Sequence, residues 1–377
     1  MLLSAHFRAA RWLAAGLLPA VLFGQNLTRE GGRWVMTLTG SVPATSRLSV
    51  TTQGPVHLEG ASGNDVSYTA KLSVEARTED DARRVLSRYS VHAASSKGRT
   101  VLVGPPVTTN LTIKVPRLKR ATIQTTEGAV EAEGIDGDLE VNSGGGELKC
   151  ERIRGDCDLS TAGGNIRVGE VDGDLRCRTA GGLVSVKTVR GDAVLQTAGG
   201  DVEIANAGGD VHAETAGGAI RVNNAGGSVT AGTGGGSVTV GKARGTVTIH
   251  EMAGPVQVGA AAAVRCESGS GGIRVSNIGG PMRVTTAIGS IIASLLAGAN
   301  FRDSFLETGN GDVTVLIPSN FGVTIRAETD RGHVVSDFPG IRQRTVGMQI
   351  LAEGALNGGG PLLRIAGTGG TIFIKRQ

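Results

Sequence analysis

Residues 197–240 read TAGGDVEIANAGGDVHAETAGGAIRVNNAGGSVTAGTGGGSVTV, and the same pattern recurs along the chain with an 18-residue period. A threonine or serine opens each copy, and a glycine follows three residues later. The glycine series stays regular to Gly254, slips by one residue before Gly271 and Gly289, and returns at Gly311 after a short insertion, which gives about eleven copies. Such regular spacing predicts a repeat protein in which each copy is one structural unit. We call the opening residues the hydroxyl column: Thr125, Ser143, Thr161, Thr179, Thr197, Thr215 and Thr233.

Each copy divides again into two halves. In both halves the fifth and seventh positions are small apolar residues, such as Val202 and Ile204 in one half and Val211 and Ala213 in the next. Apolar residues that alternate with a period of two predict short β-strands. The Gly-Gly or Gly-Asp pair before nearly every strand predicts a tight corner.

Corners this regular are unlike hairpins, so each strand is expected to pair with its counterpart one copy away. The predicted fold class is all-β: a parallel β-solenoid with two strands per 18-residue coil, β-rich caps and one short helix. A three-sided coil of three hexapeptides would also fit the 18-residue period, but the subdivision of each copy into halves favours two flat sheets. A spacing of about 4.8 Å per coil predicts a rod of roughly 50 Å. Two inward stacks are expected: Val202, Ile220 and Val238 in one sheet, and Val211, Val229 and Val247 in the other.

The composition agrees with a thin interior. The chain has 377 residues, of which 60 are Gly and 40% are apolar, but only 7 are Phe, 2 Trp and 2 Tyr. No aromatic residue occurs from Val91 to Asn300, so Val, Ile, Leu and Ala must fill the rod. The apolar fraction excludes intrinsic disorder, and the glycines lack the Gly-X-Y period of collagen.

Residues 1–24 are predicted to be a secretory signal peptide. Their start, MLLSAHFRAAR, is cationic, an apolar run follows from Trp12 to Phe23, and Gly24 suits cleavage before Gln25. An uncleaved anchor is the alternative, although the run is shorter than the roughly 20 residues that span a bilayer. We expect an exported protein of the periplasm, cell surface or extracellular space, with no membrane span in the mature chain. Without this cationic start the chain is nearly neutral, so no nucleic-acid partner is expected.

The segments around the repeats are predicted to be caps. Residues 25–118 are expected to form an N-terminal β cap, 119–317 the Gly-rich solenoid, and 318–377 a C-terminal β cap that protects the end of the rod from edge pairing. The segment TEDDARRVLSRY, residues 78–89, is the best helix candidate. Thr78 can cap it, and Ala82, Val85, Leu86 and Tyr89 share a face.

Three stretches resemble the putative adhesin domain family, a bacterial β-strand-repeat family of unknown function related to the head domain of putative autotransporter adhesins. They are TTEGAVEAEGIDGDLEVNSGGGELKC at 125–150, the central TAGG repeats, and GNGDVTVLIPSNFGVTIRAETDRG at 309–332. The resemblance covers residues 45–377 and implies an exported envelope component. It brings no catalytic residues with it, and the middle of this chain is richer in glycine than is usual in the family.

One set of carboxylates recurs with the coil period, each directly after a glycine. Stacking places neighbouring charges about 4.8 Å apart, where they repel by about 1 kcal/mol even in water. Turn N–H groups and the alternating charges of Asp136, Arg154, Asp172 and Arg190 can relieve this repulsion. A row of Ca²⁺ ions or a binding edge for a cationic surface is the alternative, although the calcium nonapeptide pattern is not matched. We call this set the aspartate column: Asp138, Asp156, Asp174, Asp192 and Asp210.

Two further residue types could carry chemistry. The hydroxyl column is expected to stabilise stacked turns, with an ice-, mineral- or glycan-binding face as the alternative. Four cysteines in an exported chain could form disulfides. Sheets about 10 Å apart keep Cys150 and Cys157 beyond disulfide reach, so we expect mostly buried thiols. The four are Cys150, Cys157, Cys177 and Cys266.

These patterns favour a non-catalytic exported envelope protein, an adhesin-like structural or binding rod. Its expected partner is an envelope protein, a glycan or a surface, with no cofactor. A calcium-dependent binding module of the cell surface is the second interpretation, and a carbohydrate-active β-helix enzyme the third. The enzyme would need converging carboxylates beside aromatic subsites, whereas the middle of this rod has no aromatic residue and the histidines are scattered.

Overall fold

The computed structural model describes residues 21–296 and 300–377, which form 36 strands and one short helix. The predicted signal peptide, residues 1–24, lies outside these ranges except for its last four residues. Two large sheets run along the molecule and face each other across one continuous apolar interior. The all-β parallel solenoid with about eleven coils is confirmed.

The N-terminal part contains nine strands and the helix. They are β1 (Val21–Glu30), β2 (Arg33–Pro43), β3 (Arg47–Thr52), β4 (Val56–Gly60), β5 (Asp65–Val74), α1 (Glu79–Leu86), β6 (His92–Ser96), β7 (Arg99–Val103), β8 (Thr109–Val115) and β9 (Arg120–Thr125).

The repeats contribute even-numbered strands to the first sheet and odd-numbered strands to the second. They are β10 (Val130–Ile135), β11 (Asp138–Ser143), β12 (Leu148–Ile153), β13 (Cys157–Thr161), β14 (Ile166–Val171), β15 (Leu175–Thr179), β16 (Val184–Val189), β17 (Ala193–Thr197), β18 (Val202–Ala207), β19 (Val211–Thr215), β20 (Ile220–Ala225), β21 (Val229–Thr233), β22 (Val238–Ala243), β23 (Thr246–Ala253), β24 (Val256–Ala260), β25 (Ala263–Ser270), β26 (Ile273–Ile278), β27 (Met282–Ile288), β28 (Ile291–Leu295), β29 (Ser304–Asn310) and β30 (Val313–Ile317).

The C-terminal part adds six strands. They are β31 (Val323–Thr329), β32 (His333–Ser336), β33 (Arg342–Val346), β34 (Gln349–Leu356), β35 (Leu362–Gly369) and β36 (Thr371–Arg376).

Both predicted inward stacks are present. In the first sheet Ile220 pairs in parallel with Val202 on one side and Val238 on the other. In the second sheet Val229 pairs with Val211 and Val247 in the same way. All six side chains are at most 2% exposed. Full burial of such a side chain stabilises the folded chain by about 1.5–3 kcal/mol. The stability of the thin rod is therefore the sum of many similar contributions.

The coil length changes at two places. Val238 pairs with Val256, one full repeat further along the chain, but Val256 pairs with Ile273, so one residue is lost after β24. Ile291 then pairs with Val313, more than a full repeat away, because the connection between β28 and β29 is longer. Both changes lie in corners, so the strands keep their inward faces.

The helix is shorter than predicted. Thr78 is its N-cap, accepting the Asp81 N–H at 3.2 Å, but α1 ends at Leu86 rather than at residue 89. Ala82 and Leu86 are buried and Tyr89 is half-buried, whereas Val85 is 39% exposed. The prediction that Val85 shares the buried face was wrong, because so short a helix contacts the sheet only through a narrow face, which Ala82 and Leu86 occupy.

At both ends the coils lie out of chain order. The coil made by β3 and β4 lies between the coils of β7–β8 and β9–β10. At the other end, β35 and β36 lie between the coil of β29–β30 and that of β31–β32. The outermost strands at each end are antiparallel, with β1, β2 and β5 at one end and β33 and β34 at the other. Each end is therefore closed by antiparallel strands and by a coil that is out of chain order.

Candidate functional site

The aspartate column lies at one corner of the rod, at the start of the strands of the second sheet. Asp156, Asp174, Asp192 and Asp210 are exposed, and Asp138 is half-buried. Strand pairing stacks the residues that follow them, for example Leu175 on Cys157 and on Ala193. The predicted row of carboxylates is therefore present on the surface.

Each carboxylate of the column is hydrogen-bonded to the next coil. Oδ1 of Asp138 accepts the N–H of Asp156 at 3.3 Å, and Oδ1 of Asp156 accepts that of Asp174 at 3.0 Å. The ladder continues through Asp192 and Asp210 at 2.9 and 2.8 Å and ends on the N–H of Ser228 at 2.7 Å. We expected donors within the same turn, but the donors belong to the following coil. The ladder therefore joins coils rather than closing turns.

The basic residues expected beside this column pair elsewhere. Arg154 Nη1 lies 3.4 Å from Asp136 Oδ2, and Arg190 Nε lies 3.2 Å from Asp172 Oδ1. In residues 21–296 and 300–377, Arg120 is the one cation within 4.0 Å of a column carboxylate, 3.4 Å from Asp138. Backbone N–H groups therefore do most of the compensation that we had assigned partly to arginine.

The hydroxyl column lies inside the other corner, and its members are at most 9% exposed. From Thr161 to Thr233 each Oγ1 donates to a glycine carbonyl of the preceding coil at 2.9 Å. The same oxygen accepts the N–H of the glycine three residues on, at 3.1–3.4 Å. A hydroxyl that is buried and bonded on both sides cannot contact a surface ligand, so the ice, mineral or glycan face is wrong for this column.

The histidines with described side chains are not brought together. His57 lies 3.4 Å from Glu131, His212 lies 3.1 Å from Glu214, and His250 pairs with a carboxylate of the next coil. These pairs belong to separate coils. Within the described ranges, no group of three or more His, Cys, Asp or Glu side chains is arranged to hold a metal ion.

A family model matches residues 45–244, more than half of the chain, which includes the opening repeats and most of the TAGG coils. The chain belongs to the Toastrack DUF4097 family. This membership confirms the resemblance drawn from the sequence.

Two solved structures are similar to this Toastrack protein. One is a putative cell adhesion protein from Clostridium sporogenes, 10% identical, with 95% of this chain and 100% of that chain covered and a TM-score of 0.19. The other is a putative adhesin from Bacteroides fragilis, 14% identical, with 90% and 96% covered and a TM-score of 0.23. At such low TM-scores neither likeness indicates what this chain binds. No curated protein matches the sequence.

All four cysteines of the Toastrack chain are free and buried, as expected. The side chains of Cys150 and Cys157 nevertheless meet, because they extend towards each other from the two sheets. Their thiol–thiol hydrogen bond, together with burial, raises the pKa of Cys157 well above its ordinary value. Burial does the same for the pKa of Cys177. The spacing of the sheets alone was a poor guide to the contact between side chains.

One unusual residue was missed by the sequence reasoning. Glu251 continues the hydroxyl column, since it pairs with Thr233 on one side and Ser268 on the other, and it is 5% exposed. The signal was available, because Glu251 follows Thr233 by one full repeat period. A carboxylic acid departs from the hydroxyl residues of the seven preceding coils, so the hydroxyl pattern alone does not point to it.

Among the described residues, no helix has the length and apolar character needed to cross a bilayer.

Proposed function

We propose that this protein is an exported, non-catalytic component of the cell envelope that serves as an adhesin-like structural or binding rod. One observation carries the proposal: the recurring polar side chains are hydrogen-bonded from coil to coil. The aspartate column accepts the N–H groups of following coils, and the hydroxyl column donates to the carbonyls of preceding coils. Chemical groups used in this way extend and stiffen a rod, and they do not converge on a reacting atom.

We also propose that residues 25–118 and 318–377 are caps of the solenoid at 119–317. The antiparallel strands at both ends support this role, because an open parallel sheet end would otherwise offer unpaired N–H and C=O groups to another chain. Secretion with removal of residues 1–24 is part of the same proposal.

The partner is proposed to be an envelope protein, a glycan or a surface that contacts the outside of the coils. A charged groove of about 630 Å³ lies at the corner after the first-sheet strands. Arg117, Asp136, Arg154, Asp172 and Arg190 line it, with charges that alternate along the rod. Alternating charges favour specificity for a complementary polar surface over attraction of any polyanion.

For the aspartate column we propose a structural role and not a calcium site. Each Oδ1 from Asp138 to Asp210 accepts an N–H group, which leaves at most one further carboxylate oxygen per residue, and that of Asp138 pairs with Arg120. Calcium takes six to eight oxygen ligands, so single free oxygens on one surface row are a poor ligand set.

Cell fractionation tests the proposal. The full chain is expressed in a bacterial host, and the N-terminus of the product is read by mass spectrometry. We expect a product that starts at Gln25, lies in the envelope or the medium, and is retained by isolated envelope when folded. The variant Ile220→Asp, with a broken interior, should not be retained. A cytoplasmic product that keeps residues 1–24, or turnover of envelope polysaccharide by the purified chain, would contradict the proposal.

A further inference from the structure

The hydroxyl column continues beyond Thr233 with an acidic residue in place of a hydroxyl. Glu251 pairs in register with Thr233 and Ser268, and Thr286 and Thr308 follow in the next coils. Thr233 donates to the carbonyl of Gly218 at 2.9 Å, and Thr308 donates to that of Gly289 at 2.8 Å. A side chain in this column therefore normally donates a hydrogen bond to a main-chain carbonyl of the preceding coil.

The carboxyl group of Glu251 is enclosed in a way that suits the neutral acid. Its Oε2 accepts the Ser268 hydroxyl at 2.6 Å, while its Oε1 is buried without a hydrogen-bond partner. A Cβ built on Gly254 would lie 3.0 Å from this Oε1 and 2.6 Å from the carbonyl oxygen of Gly236. The unpartnered oxygen and the carbonyl oxygen that the column residue of this coil would be expected to reach therefore both lie within 3.0 Å of the same point at this corner. A protonated Oε1 can donate a hydrogen bond, whereas an ionised carboxylate can only accept and keeps this buried oxygen without a partner.

The neighbouring strands place neutral side chains beside Glu251. On the adjacent strand β25, Cys266 faces the interior, and burial raises its pKa to about 12, so it stays a neutral thiol. His250 and Arg265 lie on the outer face and pair with Glu267. The strand on the other side, β21, presents the hydroxyl of Thr233. Among the described residues no cation lies within 4.0 Å of the Glu251 carboxyl group.

We propose that Glu251 is a protonation site of the folded rod, so that its coil is stable with the neutral acid and opens more readily when the acid ionises. The site lies where the repeat changes: the Gly254 N–H donates to Ser270 and not to the column residue, and the next coil is one residue shorter. Ionisation would therefore loosen the rod near its middle and leave its two ends stacked.

The direction of the pH effect follows from linkage. Burial raises the pKa of Glu251 above its ordinary value of 4.5, and the Ser268 hydrogen bond offsets this only in part. A carboxyl group whose pKa is higher in the folded chain stabilises that chain fully below the unfolded pKa. This stabilisation is lost as the pH rises from 4.5 through the raised folded pKa.

Hydrogen exchange measured by mass spectrometry on the full chain tests the proposal. The wild type is compared with Glu251→Gln, which cannot ionise, and with Glu251→Thr, which restores the hydroxyl. Glu203→Gln is the control, because Glu203 is exposed on the outer face of β18. Comparing chains at the same pH cancels the intrinsic pH dependence of exchange, and peptides from 157–179, which contain none of the substituted positions, serve as an internal reference.

We expect the peptides from 246–270 to exchange at similar rates in all chains at about pH 5. At about pH 8 they should exchange several-fold faster in the wild type and in Glu203→Gln than in Glu251→Gln or Glu251→Thr. Equal rates at both pH values, or faster exchange in Glu251→Gln at about pH 8, would overturn the proposal.

A second measurement needs only the wild type. In a chain labelled with ¹³C at the glutamate carboxyls, one resonance should titrate at a higher pH than the others. If every glutamate resonance titrated at or below about pH 4.5, the proposal would be wrong.

Discussion

At the scale of single residues, the two glycines of each TAGG corner have different roles. A Cβ added to Gly218 would lie 2.0 Å from the carbonyl oxygen of Gly200, because stacked corners approach each other at this position. A Cβ added to Gly217 would have no heavy atom within 4 Å. The second glycine is therefore required by close approach between coils, and the first is not.

The variants Gly218→Ala and Gly217→Ala form a matched pair. Gly218→Ala should lower the free energy of unfolding by about 1–3 kcal/mol, because the corner must move away from the coil below it. Gly217→Ala should change it by less than about 1 kcal/mol, since alanine has space there and reduces the entropy of the unfolded chain. Urea unfolding of both variants measures the difference, and equal losses would contradict the close-approach argument.

At the scale of the strand, the strands of the repeats have one apolar face and one polar face, and only the apolar face is shielded from water. In β20, Ile220 and Val222 are fully buried, while Arg221 and Asn223 are exposed. A strand of this kind cannot shift by one residue without exposing its entire apolar set. The coil period and the alternation therefore specify the same register.

Ile220→Asp should unfold its own coil and the neighbouring coils. A carboxylate at this position would be buried between Val202 and Val238 without a partner, at a cost on the order of 4 kcal/mol. Asn223→Asp, on the exposed face of the same strand, is the control and should melt like the wild type. Circular dichroism during heating distinguishes them; a wild-type melting temperature for Ile220→Asp would show that the two-sheet register is wrong.

At the scale of the whole molecule, the ends of the rod are locked by coils that are out of chain order. The last coil, β35–β36, lies one position inside the end, covered by β31 and β32. Fraying of the C-terminus would thus require the coil outside it to separate first. A solenoid built only from nearest neighbours in sequence lacks this protection, because its terminal coil can open alone.

Calcium removal tests how the whole rod is held together. The melting temperature of residues 25–377 should be nearly the same in millimolar Ca²⁺ and in excess chelator, because N–H groups already occupy one oxygen of each column carboxylate. Occupied calcium sites would instead add about 2.7 kcal/mol each at a hundredfold excess over Kd. Mg²⁺ at equal ionic strength controls for screening. Collapse of the rod in chelator would favour the calcium-dependent module.

The sequence by itself determined the coil and its interior. An 18-residue period allows equivalent strands to stack only with their counterparts, and a period of two decides which side chains face inward. The burial of Val202, Ile220 and Val238 followed from these two periods without any knowledge of long-range contacts. Most of the polar columns could be placed on corners by the same reasoning.

Only the tertiary structure decided which groups those columns contact. The N–H group that donates to Asp174 Oδ1 belongs to the following coil. The Cys150 and Cys157 side chains meet across the interior, and Glu251 has an oxygen without a partner. It also decided that β35–β36 lies between earlier coils. Repeat spacing specifies neighbours one period apart, but these contacts depend on side-chain direction and on pairing between segments that share no period. They therefore appear only when the coils are stacked in three dimensions.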